Sequence, residues 1–250
     1  MWMMKVKKND DETLDSFYRG RILVLQKKNG YRFAIDAPLL ADFIRTRPSD
    51  EILDLGAGNG IVALLLSIKP FGHITAVEIQ GTLADLALRN VRLNRLGNKI
   101  AVIKEDLRKF RPTKKYDVIF SNPPYIRKTS GFLSVSVEKA VAKHELKCDI
   151  YDVMRTTGDL LKKDGRAYFI YPVLRKDDFL KAAQNAGLSV CVFRFVHPRK
   201  DEAANLFLTE CGLALGEART LPPLVLHDER GAYLPEARDI FEGRTRDPAF

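Results

Sequence analysis

The sequence predicts an α/β fold on a mostly parallel sheet, and three observations carry that expectation. From Glu51 onward, short apolar runs of strand length alternate with longer stretches whose apolar residues recur three and four apart. The first run, Glu51–Leu55, leads directly into Gly-Ala-Gly-Asn-Gly over 56–60, a turn of the kind that joins a strand to a helix. The last two runs, Ser189–Val196 and Leu206–Glu210, are separated by the loop His-Pro-Arg-Lys-Asp-Glu-Ala-Ala-Asn with no helix between them. Strands joined in that way pair antiparallel, so an antiparallel edge pair is expected beside parallel strands.

Residues 1–48 are expected to form a small N-terminal β-ribbon. Arg21–Gln26 and Tyr31–Ile35 are its strands, and Asn29-Gly30 supplies the turn chemistry. The main domain, 49–216, takes strands at Glu51–Leu55, Ile74–Glu78, Ile100–Ile103, Tyr116–Phe120, Arg166–Tyr171 and the two edge runs. Helices are expected at Gly60–Ser67, Thr82–Leu96, Ile150–Leu161 and Lys176–Ala186. The tail, 217–250, carries Pro222-Pro223 and a turn at Glu229-Arg-Gly231, and reads as an irregular appendage.

Composition narrows the class. With 46% hydrophobic and 29% charged residues among 250, the chain can build a sizeable core and is not disordered. No apolar stretch is long enough to cross a bilayer, and Met-Trp-Met-Met-Lys-Val-Lys-Lys lacks the apolar run of a secretion signal, so a cytoplasmic location is expected. Cys148, Cys191 and Cys211 are odd in number and widely spaced, which fits neither a disulfide framework nor a CxxC zinc site. Histidines 73, 144, 197 and 227 have no metal-ligand spacing, and no metal is expected. Lys and Arg total 41 against 32 acids, a net +9. The excess is local: residues 104–128 hold eight basic residues against three acids. An anionic partner such as RNA is the expectation this raises.

The glycine loop follows Asp54, and Gly56, Gly58 and Gly60 let its backbone turn sharply beside a ligand. Glu78 closes the next strand and Asp106 follows the third. Singly, each acid reads equally well as a solvated strand-end carboxylate. Together, at the carboxyl edge where open α/β sheets bind ligands, they suit a nucleoside carrying a positively charged tail.

The fourth strand runs into Ser121-Asn-Pro-Pro-Tyr125. The two prolines remove two backbone donors and hold the chain extended, which leaves carbonyls for a ligand. An exocyclic amine conjugated to a ring is a poor nucleophile. The Asn122 side-chain oxygen and the Pro123 carbonyl suit its two hydrogens, freeing the nitrogen lone pair to pyramidalise. Tyr125 offers a ring on which an unstacked base can lie.

Asp-x-Gly-x-Gly-x-Gly with the two following strand-end acids resembles the S-adenosylmethionine site of class I methyltransferases over about residues 50 to 215. Asn122-Pro123-Pro124-Tyr125 resembles the signature of methyltransferases acting on adenine N6, cytosine N4 or the glutamine amide of release factors. Gly30-Tyr-Arg-Phe-Ala-Ile-Asp-Ala-Pro-Leu-Leu40, His144-Glu145, Arg194-Phe-Val-His-Pro-Arg199 and Ala204-Asn205 extend the resemblance to the bacterial tRNA1(Val) adenine N6-methyltransferase family. That family implies a Rossmann-like, seven-stranded sheet, S-adenosyl-L-methionine as cofactor, and a tRNA substrate methylated on the adenosine 3′ of the anticodon. It implies cofactor contacts from Asp54, Gly56, Gly58, Gly60, Glu78, Asp106 and Asn122, and catalysis by Asn122 through Tyr125.

Where the family pattern has Gly-Thr-Asp, this chain has Ala34-Ile-Asp36, so only Asp36 carries over. It either holds the methionine end of the cofactor or caps the helix begun by Ala37-Pro38. Lys114, Lys115, Arg127 and Lys128 flank the reaction strand and are the expected RNA-phosphate contacts. Arg199, in the edge loop, reads either as a phosphate contact or as a solvated cation. Phe132 reads either as a cover for the base or as a core aromatic. Two other functions stand: glutamine N5-methylation of a release factor, and a basic RNA-binding module without catalysis.

Overall fold

The computed structural model describes residues 6–29, 35–123, 148–214 and 216–244. Seven strands form the heart of one sheet. In chain order they are β3 (Glu51–Leu55), β4 (His73–Glu78), β5 (Ile100–Lys104), β6 (Tyr116–Ser121), β7 (Leu161–Pro172), β8 (Ser189–His197) and β9 (Leu206–Gly212). Across the sheet they lie in the order β8-β9-β7-β6-β3-β4-β5. Every neighbouring pair is parallel except those made by β9, which inserts antiparallel between β7 and β8. The antiparallel pair read from the loop at 197–205 is present, and the order reverses between β3 and β6, the switch point where such sheets hold ligands.

Alternation along the strands sorts side chains to two faces. Ile52, Val118, Tyr168 and Leu208 belong to one core cluster, and their chain neighbours Leu53, Ile119, Phe169 and Phe207 belong to the other. The first cluster is covered by α1 (Asp36–Phe43) and α2 (Ile61–Leu66). The second is covered by α4 (Ile150–Leu160) and α5 (Lys176–Asn185), whose Val153, Met154, Phe179 and Ala182 are buried. Between β4 and β5 lies α3 (Gly81–Leu93), which buries Leu83, Leu86, Ala87, Asn90 and Val91. The expected helices and strands of the main domain are all present within a few residues, β7 being the longest departure.

Both ends of the chain differ from expectation. The strand at Ile22–Lys27 (β2) pairs with an upstream strand, Glu12–Phe17 (β1), in antiparallel register from Glu12↔Lys27 to Phe17↔Ile22. Its turn is Tyr18-Arg19-Gly20, all three with positive φ, and not Asn29-Gly30. Burial of the Tyr18 ring, 3% exposed, holds a conformation that a non-glycine residue rarely takes. The expected partner Tyr31–Ile35 falls mostly outside the described residues.

The tail is not irregular. Arg219–Thr220 (β10) and Leu224–Val225 (β11) each pair parallel with β8, extending the sheet to nine strands. A last helix, α6 (Pro235–Phe241), then buries Ala237 and Ile240 in the first core cluster beside α1. Arg194 on β8 anchors it, donating to Glu236 Oε1 at 2.6 Å.

Cys211 is buried, while Cys148 and Cys191 are half-buried, and all three are free thiols. Among the described residues no group of His, Cys, Asp and Glu is arranged to hold a metal, and no helix is long and apolar enough to cross a membrane.

Candidate active site

Four of the sheet's carboxyl-end turns converge on the switch point. Gly56 and Ala57 donate their backbone N–H groups to Val77 O at 2.9 and 3.0 Å, which folds the glycine loop against the end of β4. Gly56, Gly58 and Gly60 all have positive φ. Gly60 ends the loop as the residue before α2, and a Cβ there would lie 3.3 Å from Ala87 Cβ on α3. The close packing of loop on helix is therefore built into the glycine.

Glu78 serves this loop directly. Its Oε2 accepts from Gly58 N and its Oε1 from Gln80 N, both at 2.8 Å. It is 5% exposed, and burial raises its pKa against the opposing pull of those N–H donors. Asp54, in register with Ala76 on β4 and Phe120 on β6, is 2% exposed. Burial, and then repulsion from Glu78, raises its pKa well above the ordinary carboxylate range. Asp54 Oδ2 is buried without a hydrogen-bond partner. Two buried carboxyl groups side by side, one with an unmatched oxygen, fit a ligand that brings hydroxyl donors and a positive centre.

Asp106 follows β5 as expected, but both its oxygens engage Arg108. Arg108 Nε donates to Oδ1 and Oδ2 at 3.0 Å and Nη2 to Oδ2 at 2.6 Å, and this pairing lowers the Asp106 pKa. Arg108 N also donates to Oδ1 at 2.9 Å, so each carboxylate oxygen already accepts two donors, and an incoming amine has to displace part of the Arg108 pairing. Asp36 is the first residue of α1, inside the helix and not before it, where a carboxylate favours the helix dipole.

The reaction strand ends beside the loop. Ser121 Oγ donates to Leu55 O at 2.7 Å, a buried bond that ties the end of β6 to the residue before Gly56. Asn122 follows half-buried and Pro123 buried, so the described half of Asn-Pro-Pro-Tyr stands next to the glycine loop across the switch point. Pro124, Tyr125, Arg127, Lys128, Phe132, His144 and Glu145 lie outside the described residues.

A glycine loop on two buried carboxyl groups, with Asn-Pro at the adjacent strand end, is what a family model recognises independently: residues 32–163, just over half of the chain, match the methyltransferase small domain. The chain belongs to that family. A curated tRNA1(Val) (adenine(37)-N6)-methyltransferase of Vibrio cholerae is 30% identical over 85% of this chain and 89% of its own length. One of Bacteroides fragilis is 30% identical over 66% of this chain and 70% of its own. The fold of a predicted O-methyltransferase from Agrobacterium tumefaciens superposes with a TM-score of 0.65 at 21% identity, covering 85% of this chain and 99% of that one. These matches make the protein an S-adenosylmethionine-dependent methyltransferase of Rossmann-like fold, as the glycine loop and Asn-Pro-Pro-Tyr imply.

The basic residues are distributed differently from expectation. Lys114 and Lys115 precede β6 and so stand at its amino end, roughly 20 Å along the strand from Asn122. Lys114 Nζ is 2.6 Å from Glu51 Oε2, at the start of β3. Adjacency in sequence to the reaction strand put them beside the wrong end of it. Arg199 is on the correct side, because β8 runs parallel to β7 and its following loop lies at the carboxyl edge. It pairs with Glu202 at 2.9 Å. Val173 N donates to Asn205 O at 3.0 Å, joining that loop to the turn after β7. β7 continues from Phe169, opposite Ser121, to Pro172, so this turn rises beside the methyltransferase site as a wall. It carries Leu174, 94% exposed, and Arg175, which the sequence pattern did not mark.

Proposed function

We propose that this methyltransferase transfers a methyl group from S-adenosyl-L-methionine to the N6 amine of an adenosine in tRNA, next to the anticodon. The observation that supports the target amine is the seat of Asn122-Pro123 at the end of β6, bonded through Ser121 to the base of the glycine loop. The printed names of the curated relatives support the RNA. Asp54 and Glu78, beside the glycine loop, are the residues to hold the cofactor, and Asp106 takes its adenine amine by giving up part of the Arg108 pairing. Bound there, the cofactor supplies an electrophilic methyl group. Asn122 and the Pro123 carbonyl accept the two amine hydrogens and release the nitrogen lone pair. The surplus proton leaves to water once the nitrogen is alkylated, so no side-chain base is needed.

On this reading residues 49–216 are the catalytic domain, flanked by the N-terminal ribbon and the C-terminal segment, and the protein works in the cytoplasm. Arg199, with Arg127 and Lys128, contacts RNA phosphate; Lys114 and Lys115 have no part in it.

Incubation with labelled cofactor and total tRNA, followed by nucleoside analysis, is expected to give N6-methyladenosine. Label in protein glutamine instead would move the substrate to a release factor. Asn122→Ala is expected to cost about 2–4 kcal/mol of activation free energy with cofactor affinity nearly unchanged. Equal turnover would refute the role.

A further inference from the structure

One helix side chain, Asn90 on α3, bonds both the N-terminal hairpin and the cofactor loop. Among the described residues β1 and β2 form a two-stranded sheet, with no third strand on the outer edge of β2. That edge is met by α3. Asn90 Oδ1 accepts from Leu25 N at 2.7 Å and its Nδ2 donates to Leu25 O at 3.1 Å. Asn94 repeats the pattern on Leu23, accepting from its N–H at 2.9 Å and donating to its carbonyl at 2.7 Å. Four helical residues rise about 6 Å and two strand residues about 6.6–6.8 Å, so asparagines four apart match alternate residues of a strand. The helix thus supplies a side-chain ladder in place of a third strand.

Asn90 does one thing that Asn94 does not. Its Nδ2 also donates to Asn59 O, 3.0 Å away, in the glycine loop. Asn90 is fully buried, and with these three bonds its two donors and its oxygen are all used. The other loop bonds run to β4 or within the loop: Gly56 and Ala57 to Val77, Gly58 to Glu78, Gly60 to Ala57. The carbonyl of Asn59 is held from the hairpin side, immediately before Gly60 packs on Ala87.

We propose that Asn90 is a positioning residue that fixes the cofactor loop to the seat of the N-terminal hairpin, so that cofactor affinity depends on how the hairpin sits. The inference rests on the reading of the glycine loop as the cofactor cradle. A loosened hairpin lets Leu25 drift, Asn90 follows it, and Asn59 O loses the donor that sets the loop's curvature. Glu12 offers an independent way to loosen the hairpin, because it joins β1 to Arg89 on the same helix, at 2.7 Å, without touching the loop.

The test is titration of S-adenosylhomocysteine into full-length protein by calorimetry, well below the unfolding midpoint of each variant. Asn90→Ala is expected to weaken binding about tenfold, the worth of one buried hydrogen bond. Asn94→Ala, which breaks the same ladder away from the loop, is expected to lower thermal stability and to weaken binding only about two- to threefold, through the hairpin, and not at all when Asn90 is already alanine. Glu12→Gln is expected to weaken binding two- to threefold in the parent and not at all when Asn90 is already alanine. Hydrogen exchange at 57–60 is expected to rise most in Asn90→Ala, and less in the variants that loosen the hairpin with Asn90 in place. If Asn90→Ala does not fold, Asn90→Ser, which keeps a shorter donor and acceptor, is judged by the same criteria. Unchanged affinity in a folded Asn90 variant, or an equal effect of Glu12→Gln in both backgrounds, overturns the proposal. Absence of binding in the parent protein would instead overturn the cofactor reading.

Discussion

Glu12→Gln tests how the hairpin is held. The Glu12 side chain is fully buried and accepts from Arg89 Nη1 and Nη2 at 2.7 Å each, from Asn9 N at 2.9 Å and Nδ2 at 3.1 Å, and from Lys27 Nζ at 3.4 Å. The Arg89 hydrogen bonds in particular lower its pKa from 4.5 to about 2. At about 1.4 kcal/mol per pH unit, that gap corresponds to roughly 3 kcal/mol. Arg89 and Lys27 leave 15% and 28% of their side chains in water, which screens part of the interaction. About 2 kcal/mol is therefore expected. Because the folded-state pKa lies below the unfolded one, the stabilisation is complete above about pH 4.5 and is lost as pH falls toward 2. Urea unfolding of the parent and Glu12→Gln, followed by circular dichroism between neutral pH and pH 3, is expected to show a difference of about 2 kcal/mol that shrinks with acid. A difference that does not vary with pH would refute the electrostatic argument and leave only packing.

Two other perturbations address the cradle. Asp54→Asn removes a carboxyl group whose raised pKa means that ionisation opposes folding, so its thermal midpoint at neutral pH is expected to exceed the parent's while cofactor affinity falls; a lower midpoint would contradict the unpaired burial of Oδ2. In the parent, protonating Asp54 and Glu78 removes negative charge, so cofactor affinity is expected to weaken as pH drops below their raised pKa values, a trend that calorimetry at stepped pH detects. Gly60→Ala forces an L-residue to φ +81 against Ala87 and is expected to cost about 1–2 kcal/mol of stability, measured by urea unfolding.

The main domain was legible because most of its strands are short, largely apolar runs and the longer covering helices each carry an apolar stripe. The positions of Asp54, Glu78 and Asn122 were legible for a related reason: they lie at or next to strand ends, and strand ends were what the pattern located best. The hairpin partner was not. Asn29-Gly30 is a stronger turn signal than Arg19-Gly20, and nothing in the sequence marks Tyr18, whose buried ring sits at the turn between β1 and β2. Strands of two residues, such as Arg219–Thr220, are too short to show alternation, so the tail read as irregular. Asn90 carried no signal either, since an asparagine on a helix reads as a surface residue until the neighbouring strand edge is known. The lysines before β6 show the opposite error, in which a charge run was placed correctly in sequence and at the wrong pole of the sheet.

The hairpin turn meets the segment after α6. Arg19 pairs with Glu242 at 2.5 Å, and Arg21 Nη2 donates to the Gly243 carbonyl. Helix α6 thus lies against α1 and beside the hairpin, some two hundred residues from either in sequence. During synthesis from the N-terminus, the part of α1 that α6 covers stays open until Pro235–Phe241 has been made, after α2 and the sheet that cover the rest of α1. A chain that stops before Pro235 leaves the part of α1 under α6 exposed, which makes α6 a seal over that helix.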